Sequence, residues 1–342
     1  MVPPAIALAY SAMIGEPMQT PSVTELQPTT AEDAEAARAR IRGTAIRTPL
    51  LRLDMDGPVD IHLKLENLQP IGSYKLRGAA NRMLQLPETA LRKGVWTASA
   101  GNMAQGVAWC ARLAGVPCTV VVPQNASEAK LAAVRRLGAR IETVSRDEFF
   151  EIFAARERPG LEGLFIHAFS DPAVMAGNGT IALEILEDLP DVRAIYVPYG
   201  GGGLSCGIAG VLRSAAPHVR VIACEPETAA PLAASLAGGI ARATEHRPSF
   251  VDGAGAPRVY PEMFALAREL IAEARAVPLH EVAAALRLLA ERAHVIAEGA
   301  GGLGVAVALR HAHQGPVACI VSGGNIRADW LSAILSGQLP SV

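Results

Sequence analysis

Four consecutive glycines, Gly200–Gly203, stand between an apolar run suited to a strand, Ala194–Pro198, and one suited to a helix, Leu204–Ala216. Glycine loses more backbone entropy on folding than any other residue, so four together are a costly connection. What they make possible is a loop whose successive N–H groups turn inward, with the positive end of a helix behind them. That is a phosphate cradle, at the carboxyl end of a strand, where open α/β sheets bind their ligands. It is not a P-loop, because no Gly-Lys-Ser/Thr follows. The dinucleotide fingerprint G-x-G-x-x-G, started at Gly200, meets Ser205 in its last place. Glu225 ends the next strand about where a ribose ligand would sit, which keeps a dinucleotide alternative open. Tight strand–helix packing is the other.

The same design recurs. Val95–Ala98 reads as a strand, Ser99-Ala100-Gly101-Asn102 as a small-residue loop, and the residues to about Ala114 as a helix. Backbone N–H groups there suit a smaller anion such as a carboxylate, and Ser99 as an ordinary N-cap is the simpler account. Ser322-Gly323-Gly324-Asn325 again lies just past a strand, Pro316–Val321. Upstream, Gly72-Ser73-Tyr74-Lys75 opens a helix in which Leu76, Ala79, Ala80, Met83 and Leu84 keep helical spacing. Near a helix N-terminus the dipole disfavours the charge of Lys75 and lowers its pKa, which suits an amine that must attack a carbonyl. A lone lysine beside Arg77 is ordinarily just solvated; three anion-ready loops able to share its crevice change that reading.

Composition sets the class. Half of the 342 residues are hydrophobic but only 4 % aromatic, and there are 32 glycines, a mix that suits buried parallel strands in an α/β protein. Net charge is −2 with no run of five like charges, so neither nucleic acid nor an anionic membrane is an expected partner. The five cysteines, Cys110, Cys118, Cys206, Cys224 and Cys319, lie singly in apolar segments without a C-x-x-C pair. Reduced thiols in a cytoplasmic protein, with no metal site, are expected. The uncharged run Ala194–Leu212 contains Pro198 and several glycines and does not read as a membrane span. Thr30 and Asp33 mark a capped helix, Ala31–Arg42. Further helices are expected at Ser127–Leu137, Gly177–Leu189, Pro261–Ala267, Leu279–Arg292 and Gly302–His311. Strands are expected at Cys118–Val122, Arg140–Val144, Phe165–Phe169 and Val219–Cys224, and residues 228–262 read as looser. The expected organisation is an arm at 1–28, a small domain at 93–172, and a large domain from 29–92 and 173–342.

In order along the chain, His62–Ala79, Ser99–Gly106, Gly177–Glu184 (G-x-G-T-x-x-x-E), Gly200–Leu204 and Ser322–Asn325 resemble five motifs of one family. It is the serine/threonine dehydratase branch of the fold-type-II, tryptophan-synthase-like pyridoxal phosphate enzymes, and the match runs from about Thr29 to about Trp330. The resemblance implies two doubly wound parallel-sheet domains with pyridoxal 5′-phosphate in the cleft between them, and a homodimer. It implies that Lys75 holds the cofactor as a Schiff base and then serves as base on the substrate Cα–H. Asn102 would bond the 3′-oxygen, Gly200, Gly201, Gly202, Gly203 and Leu204 the phosphate, and Ser322 the pyridine nitrogen. Ser99, Ala100, Gly101, Asn102 and Met103 would form the substrate carboxylate side.

Departures sharpen the reading. The family usually has His where this chain has Met103. Related serine racemases carry a serine at Ala100 and a divalent-cation site after a residue like Glu225, but the Asp expected six residues later is Pro231. The implied activity is β-elimination from a β-hydroxy amino acid, with L-serine, L-threonine, hydroxyaspartate and bulkier analogues all candidates. Racemase, β-replacement enzyme and a cofactor-holding sensor with a dead site are the alternatives.

Overall fold

The computed structural model describes residues 25–55, 60–126, 128–311 and 315–342. The arm expected at 1–28 therefore lies almost wholly outside the described residues, as does Ser127. Helix α1 (Ala31–Ile41) opens with the reciprocal cap its sequence suggests: Thr30 Oγ1 accepts from Asp33 N, and Asp33 accepts from Thr30 N. Then follow β1 (Leu50–Arg52), β2 (Ile61–Lys64), α2 (Lys75–Leu84), the single-turn α3 (Glu88–Leu91), β3 (Val95–Ala98), α4 (Asn102–Ala114), β4 (Cys118–Pro123), α5 (Glu128–Arg136) and β5 (Arg140–Val144). The next run is α6 (Arg146–Ala155), β6 (Leu164–Phe165), α7 (Pro172–Asp188), β7 (Ala194–Pro198), α8 (Gly203–Ala215), β8 (Arg220–Pro226) and α9 (Pro231–Gly238). The chain closes with α10 (Pro261–Leu270), β9 (Glu273–Val277), α11 (Leu279–Arg292), α12 (Gly299–Leu309), β10 (Val317–Ile320) and α13 (Ala328–Leu335).

The strands form two sheets. The larger has the order β1-β2-β10-β7-β8-β9, antiparallel only between β1 and β2. The smaller, β5-β4-β3-β6, is parallel throughout. Every residue of β7 and β10 is buried, the unbroken apolar run of a strand covered on both faces. One face of the large sheet packs Leu63, Tyr196, Ile222 and Cys319 against Leu286, Leu303 and Val307. The other packs Ile195, Val197 and Ile320 against Ile181, Ile208 and Leu212. Helix α2 keeps different company: Leu76, Ala79, Ala80 and Met83 share a cluster with Val95, Val107, Ala108 and Val120 of the small sheet. The same helix also packs on α7, so it lies between the two layers.

Several elements differ from expectation for identifiable reasons. β6 stops at Phe165 because His167 Nδ1 accepts from Phe169 N (3.2 Å) and Ser170 N (2.8 Å), turning the chain out of the sheet. α7 starts at Pro172 rather than Gly177, since the Asp171 carboxylate accepts from Ala173 N and Val174 N and proline suits a first turn. The segment 228–262 holds α9. Helix α6, capped by Ser145, strand β9, a half-exposed edge, and helix α13 have no counterpart in the expected elements. Among the described residues no helix is long and apolar enough to cross a membrane.

Candidate active site

The turn before α2 is tied across the molecule to the end of β10. Tyr74 N donates to Ser322 O (3.0 Å) and Gly324 N to Gly72 O (2.9 Å). Gly72 has φ +72°, and a Cβ there would come within 2.8 Å of Asn325 Oδ1, so only glycine serves. Lys75, the first residue of α2, donates from Nζ to Ala168 O (2.7 Å). Burial pushes its pKa down to about 8, with the carboxylate of Glu298 opposing. The sequence attributes this depression to the helix dipole; enclosure of the amine is the main cause. Two residues on, the buried Arg77 grips Glu66 and Glu184 at 2.6–2.8 Å, and Lys64 adds a second cation 2.6 Å from Glu184. These bonds tie α2 to the large sheet and to α7.

An enclosed pocket of about 40 Å³ brings Lys75 together with Tyr74, Phe169, Gly200–Gly203, Leu204, Gly253 and Ser322. The glycines of the loop answer to different constraints. A Cβ on Gly201 would lie 2.0 Å from the Phe169 ring, and one on Gly203 would lie 2.7 Å from Phe169 Cα. Gly202 has φ +91° and its Cβ would point to Tyr199 Oη (3.0 Å) and Met263 Cε (3.1 Å), behind the loop. Its glycine is therefore required by backbone geometry. Glu225 does not face the loop. Its carboxylate accepts from Leu232 N (2.9 Å) and Ala233 N (2.8 Å) at the start of α9, and burial lifts it to about 7. A ribose ligand at Glu225, and with it the dinucleotide alternative, is excluded by that orientation.

Asn102 opens α4 and reaches toward the large sheet: Nδ2 donates to Glu298 Oε1 (2.7 Å), and Oδ1 accepts from Asn325 Nδ2 (2.8 Å). Ser99 Oγ accepts from Gly101 N (3.3 Å), so it shapes the turn. Ala100 is half-buried against the small-sheet core. Met103 is buried among Leu76, Ala79 and Ile166, its side chain spent on packing within that layer. Glu298, buried at the start of α12, escaped the sequence reading, as did Phe169, His167 and Gly253. Burial lifts Glu298 to about 7, Asp252 adding to the effect and Lys130 opposing it. The one available signal was an isolated acid directly before the glycine-rich run Gly299–Gly302. Among the described residues no group of His, Cys, Asp and Glu is arranged to hold a metal ion.

Residues 41–323 match the family described as pyridoxal-phosphate dependent enzyme. The chain belongs to that family. An L-threonine ammonia-lyase of Thermotoga maritima is 40 % identical over 317 residues, 91 % of this chain and 79 % of that one. Maize serine racemase superposes with a TM-score of 0.81 at 30 % identity, covering 88 % of this chain and 95 % of the racemase. The processed form of threonine deaminase isoform 2 from Solanum lycopersicum superposes with a TM-score of 0.78, also at 30 % identity, covering 94 % of this chain and 98 % of the deaminase. This pyridoxal-phosphate dependent enzyme has the fold its five motifs imply, α/β with parallel sheets.

The chemistry of the donor set fits the cofactor. A desolvated amine suits its aldehyde, and inward N–H groups at the start of α8 suit its phosphate. Ser73 Oγ, fully buried two residues before Lys75, has no hydrogen-bond partner among the described residues. Replacing Gly202 by Asp is expected to abolish cofactor retention. The positive φ alone costs roughly 1–2 kcal/mol for an L-residue, and the new carboxylate sets a negative charge beside N–H groups suited to a phosphate. Absorbance of the purified variant tests this; a full cofactor complement would make the loop a packing device only.

Proposed function

We propose that this enzyme eliminates water from a β-hydroxy amino acid, L-threonine foremost, and that the enamine so released tautomerises and takes up a water to give a 2-oxo acid and ammonium. The observation that carries the reading is the single pocket that joins the low-pKa amine of Lys75 to the Gly200–Gly203 loop and Ser322. The ammonia-lyase and deaminase relatives support the same chemistry. When bound, pyridoxal phosphate supplies a ring that withdraws electrons from the substrate Cα. Lys75 would anchor that group through Nζ, and the same amine, when free, would take the substrate Cα proton. The N–H groups of Gly200–Gly203 and Leu204 would hold the phosphate, and Asn102 would bond the 3′-oxygen. The Ser322 hydroxyl would face the ring nitrogen, a partner that leaves that nitrogen unprotonated and so tempers the electron withdrawal the ring supplies. Ser99 and the backbone of Gly101–Met103 take the substrate carboxylate. Incubation with L-threonine should release 2-oxobutyrate and ammonium in equal amounts, and a panel with L-serine and hydroxyaspartate ranks the substrates. Cofactor-loaded protein that releases neither product from any of them refutes the proposal.

A racemase reading is favoured by the maize neighbour, and Ala100 weighs against it. Racemisation needs a proton delivered to the Cα face opposite Lys75, and a methyl group has none to give. L-Serine should therefore yield pyruvate with little D-serine, while Ala100→Ser raises the D-serine fraction. A placed general acid is typically worth roughly 10²–10⁴-fold, and serine is well tolerated beside a helix start. Chiral analysis of recovered serine decides it: abundant D-serine from the unmodified protein would reverse the ranking.

The proposal includes a homodimer in the cytoplasm. Leu68 and Ile296 are both exposed beside the Asn67–Ile296 hydrogen bond, an apolar surface suited to a second copy, and all five thiols are free and buried. Sedimentation equilibrium that finds a monomer at micromolar concentration would overturn the dimer.

A further inference from the structure

A side-chain amide is two-faced: its oxygen accepts, its nitrogen donates, and its orientation is set by its neighbours. At Asn102 the neighbours leave no choice. Asn325 Nδ2 lies between two oxygens, Ile71 O (2.9 Å) and Asn102 Oδ1 (2.8 Å), and spends one hydrogen on each. Reversing Asn325 would set its oxygen against both. At the other end, the Glu298 carboxylate accepts from Asn102 Nδ2 (2.7 Å), and when ionised it can only accept. Asn325 is further confined by Gly72, where any side chain would meet its Oδ1. A Cβ on Gly323 would come within 2.5 Å of Glu298 Oε1 and 3.2 Å of Asn102 Nδ2. The glycines of the turn and of the Ser322–Asn325 loop thus leave room for a chain of bonds running from Ile71 O through Asn325 and Asn102 to Glu298.

We infer that Glu298 and Asn325 are positioning residues that hold Asn102 with its amide nitrogen, not its carbonyl, available to the cofactor's ring oxygen. The inference rests on the proposed role of Asn102 and deepens it. Asn102 Nδ2 carries two hydrogens and gives one to Glu298; the second remains for an anionic oxygen, which a reversed amide would instead repel. Glu298 is surrounded by Asn102 on α4, Lys75 and Tyr74 at the start of α2, Asp252 on the loop before Gly253, Lys130 on α5 (2.5 Å from Asp252), and the backbone N–H of Asn325. Its carboxylate, accepting from Asn102 Nδ2, anchors the far end of the chain of bonds.

The test reads cofactor affinity and the visible absorption band, independently of turnover. Glu298→Gln keeps an acceptor oxygen and should retain affinity within about threefold. Glu298→Leu and Asn325→Leu should each weaken cofactor binding at least about tenfold, equivalent to about 1.4 kcal/mol, and shift the band. The deciding measurement is a double-mutant cycle with Asn102→Ala. If Glu298 acts through Asn102, Glu298→Leu changes affinity less than twofold once Asn102 is already alanine. Losses that add in full, or a Glu298→Gln as weak as Glu298→Leu, overturn the positioning role. Should Asn102→Ala alone leave affinity and spectrum unchanged, it is the underlying role of Asn102 that falls. Thermal unfolding of each variant guards against misfolding, and Asn325→Leu carries the test if Glu298→Leu does not fold.

Discussion

Lys75→Ala should leave a folded protein whose turnover of L-threonine falls by more than about four orders of magnitude. Under the proposed function, the substitution removes at once the anchor of the cofactor and the base for the Cα proton. The structure supplies the reason why this lysine is suited to both. Its Nζ is enclosed and held at 2.7 Å from Ala168 O, and its pKa falls to about 8, so near pH 8 about half of the amine is neutral by simple titration. The chain has four lysines, Lys64, Lys75, Lys93 and Lys130. Borohydride reduction of the loaded protein should accordingly mark one peptide, the one holding Lys75. Because the folded pKa lies below the unfolded value of 10.5, the unfolded chain binds more protons between about 8 and 10.5. Stability of the cofactor-free protein should rise with pH across that window and lose this contribution as pH falls through it. The alanine variant lacks the dependence and should be no less stable at neutral pH. Retention of substantial elimination by Lys75→Ala would remove the residue from its role.

Arg77→Met should destabilise the protein by about 3–5 kcal/mol, the usual consequence of stripping one partner from a buried ionic network. In the intact protein two cations, Arg77 and Lys64, face two carboxylates, Glu66 and Glu184, and all four are essentially inaccessible to water. Burial would push the guanidinium down, but Glu66 and Glu184 together hold it above its ordinary range; Arg77 in turn keeps Glu66 low against its own desolvation. Thr48 Oγ1 donates to Glu66 (2.6 Å) and Lys64 Nζ to Thr48 O (2.6 Å), so the remaining acceptors are also satisfied. Methionine leaves two buried carboxylates against one ammonium. Arg77→Lys should fall between, since a single ammonium cannot span both carboxylates as the guanidinium fork does. Urea unfolding measures the loss; less than about 1 kcal/mol would show that the network is not an anchor of α2.

Whatever depends on a short stretch of backbone was legible in the sequence. The strand–glycine–helix step at 198–204, the cap at Thr30, and the exact span of β7 and α11 follow from local pattern, backbone freedom and helix ends. So does the meeting of the glycine loop and Ser322 beside Lys75, because parallel strands present their carboxyl ends together. Tertiary structure decided which side chains meet there. Glu298 lies 196 residues from Asn102, and Ala168 lies 93 from Lys75; no local propensity encodes such pairs. The same holds for elements whose fate hung on one distant or non-periodic contact. β6 ends where His167 Nδ1 takes two N–H groups that a longer strand would have paired. Met103, which reads as a pocket residue by its position, is buried in the layer that α2 shares with β3 and α4. Even the low pKa of Lys75 changed its cause. A helix dipole can be read from sequence because it follows from where the helix begins, whereas burial exists only once Phe169, the glycine loop and the turn at Ser322 have closed around the amine.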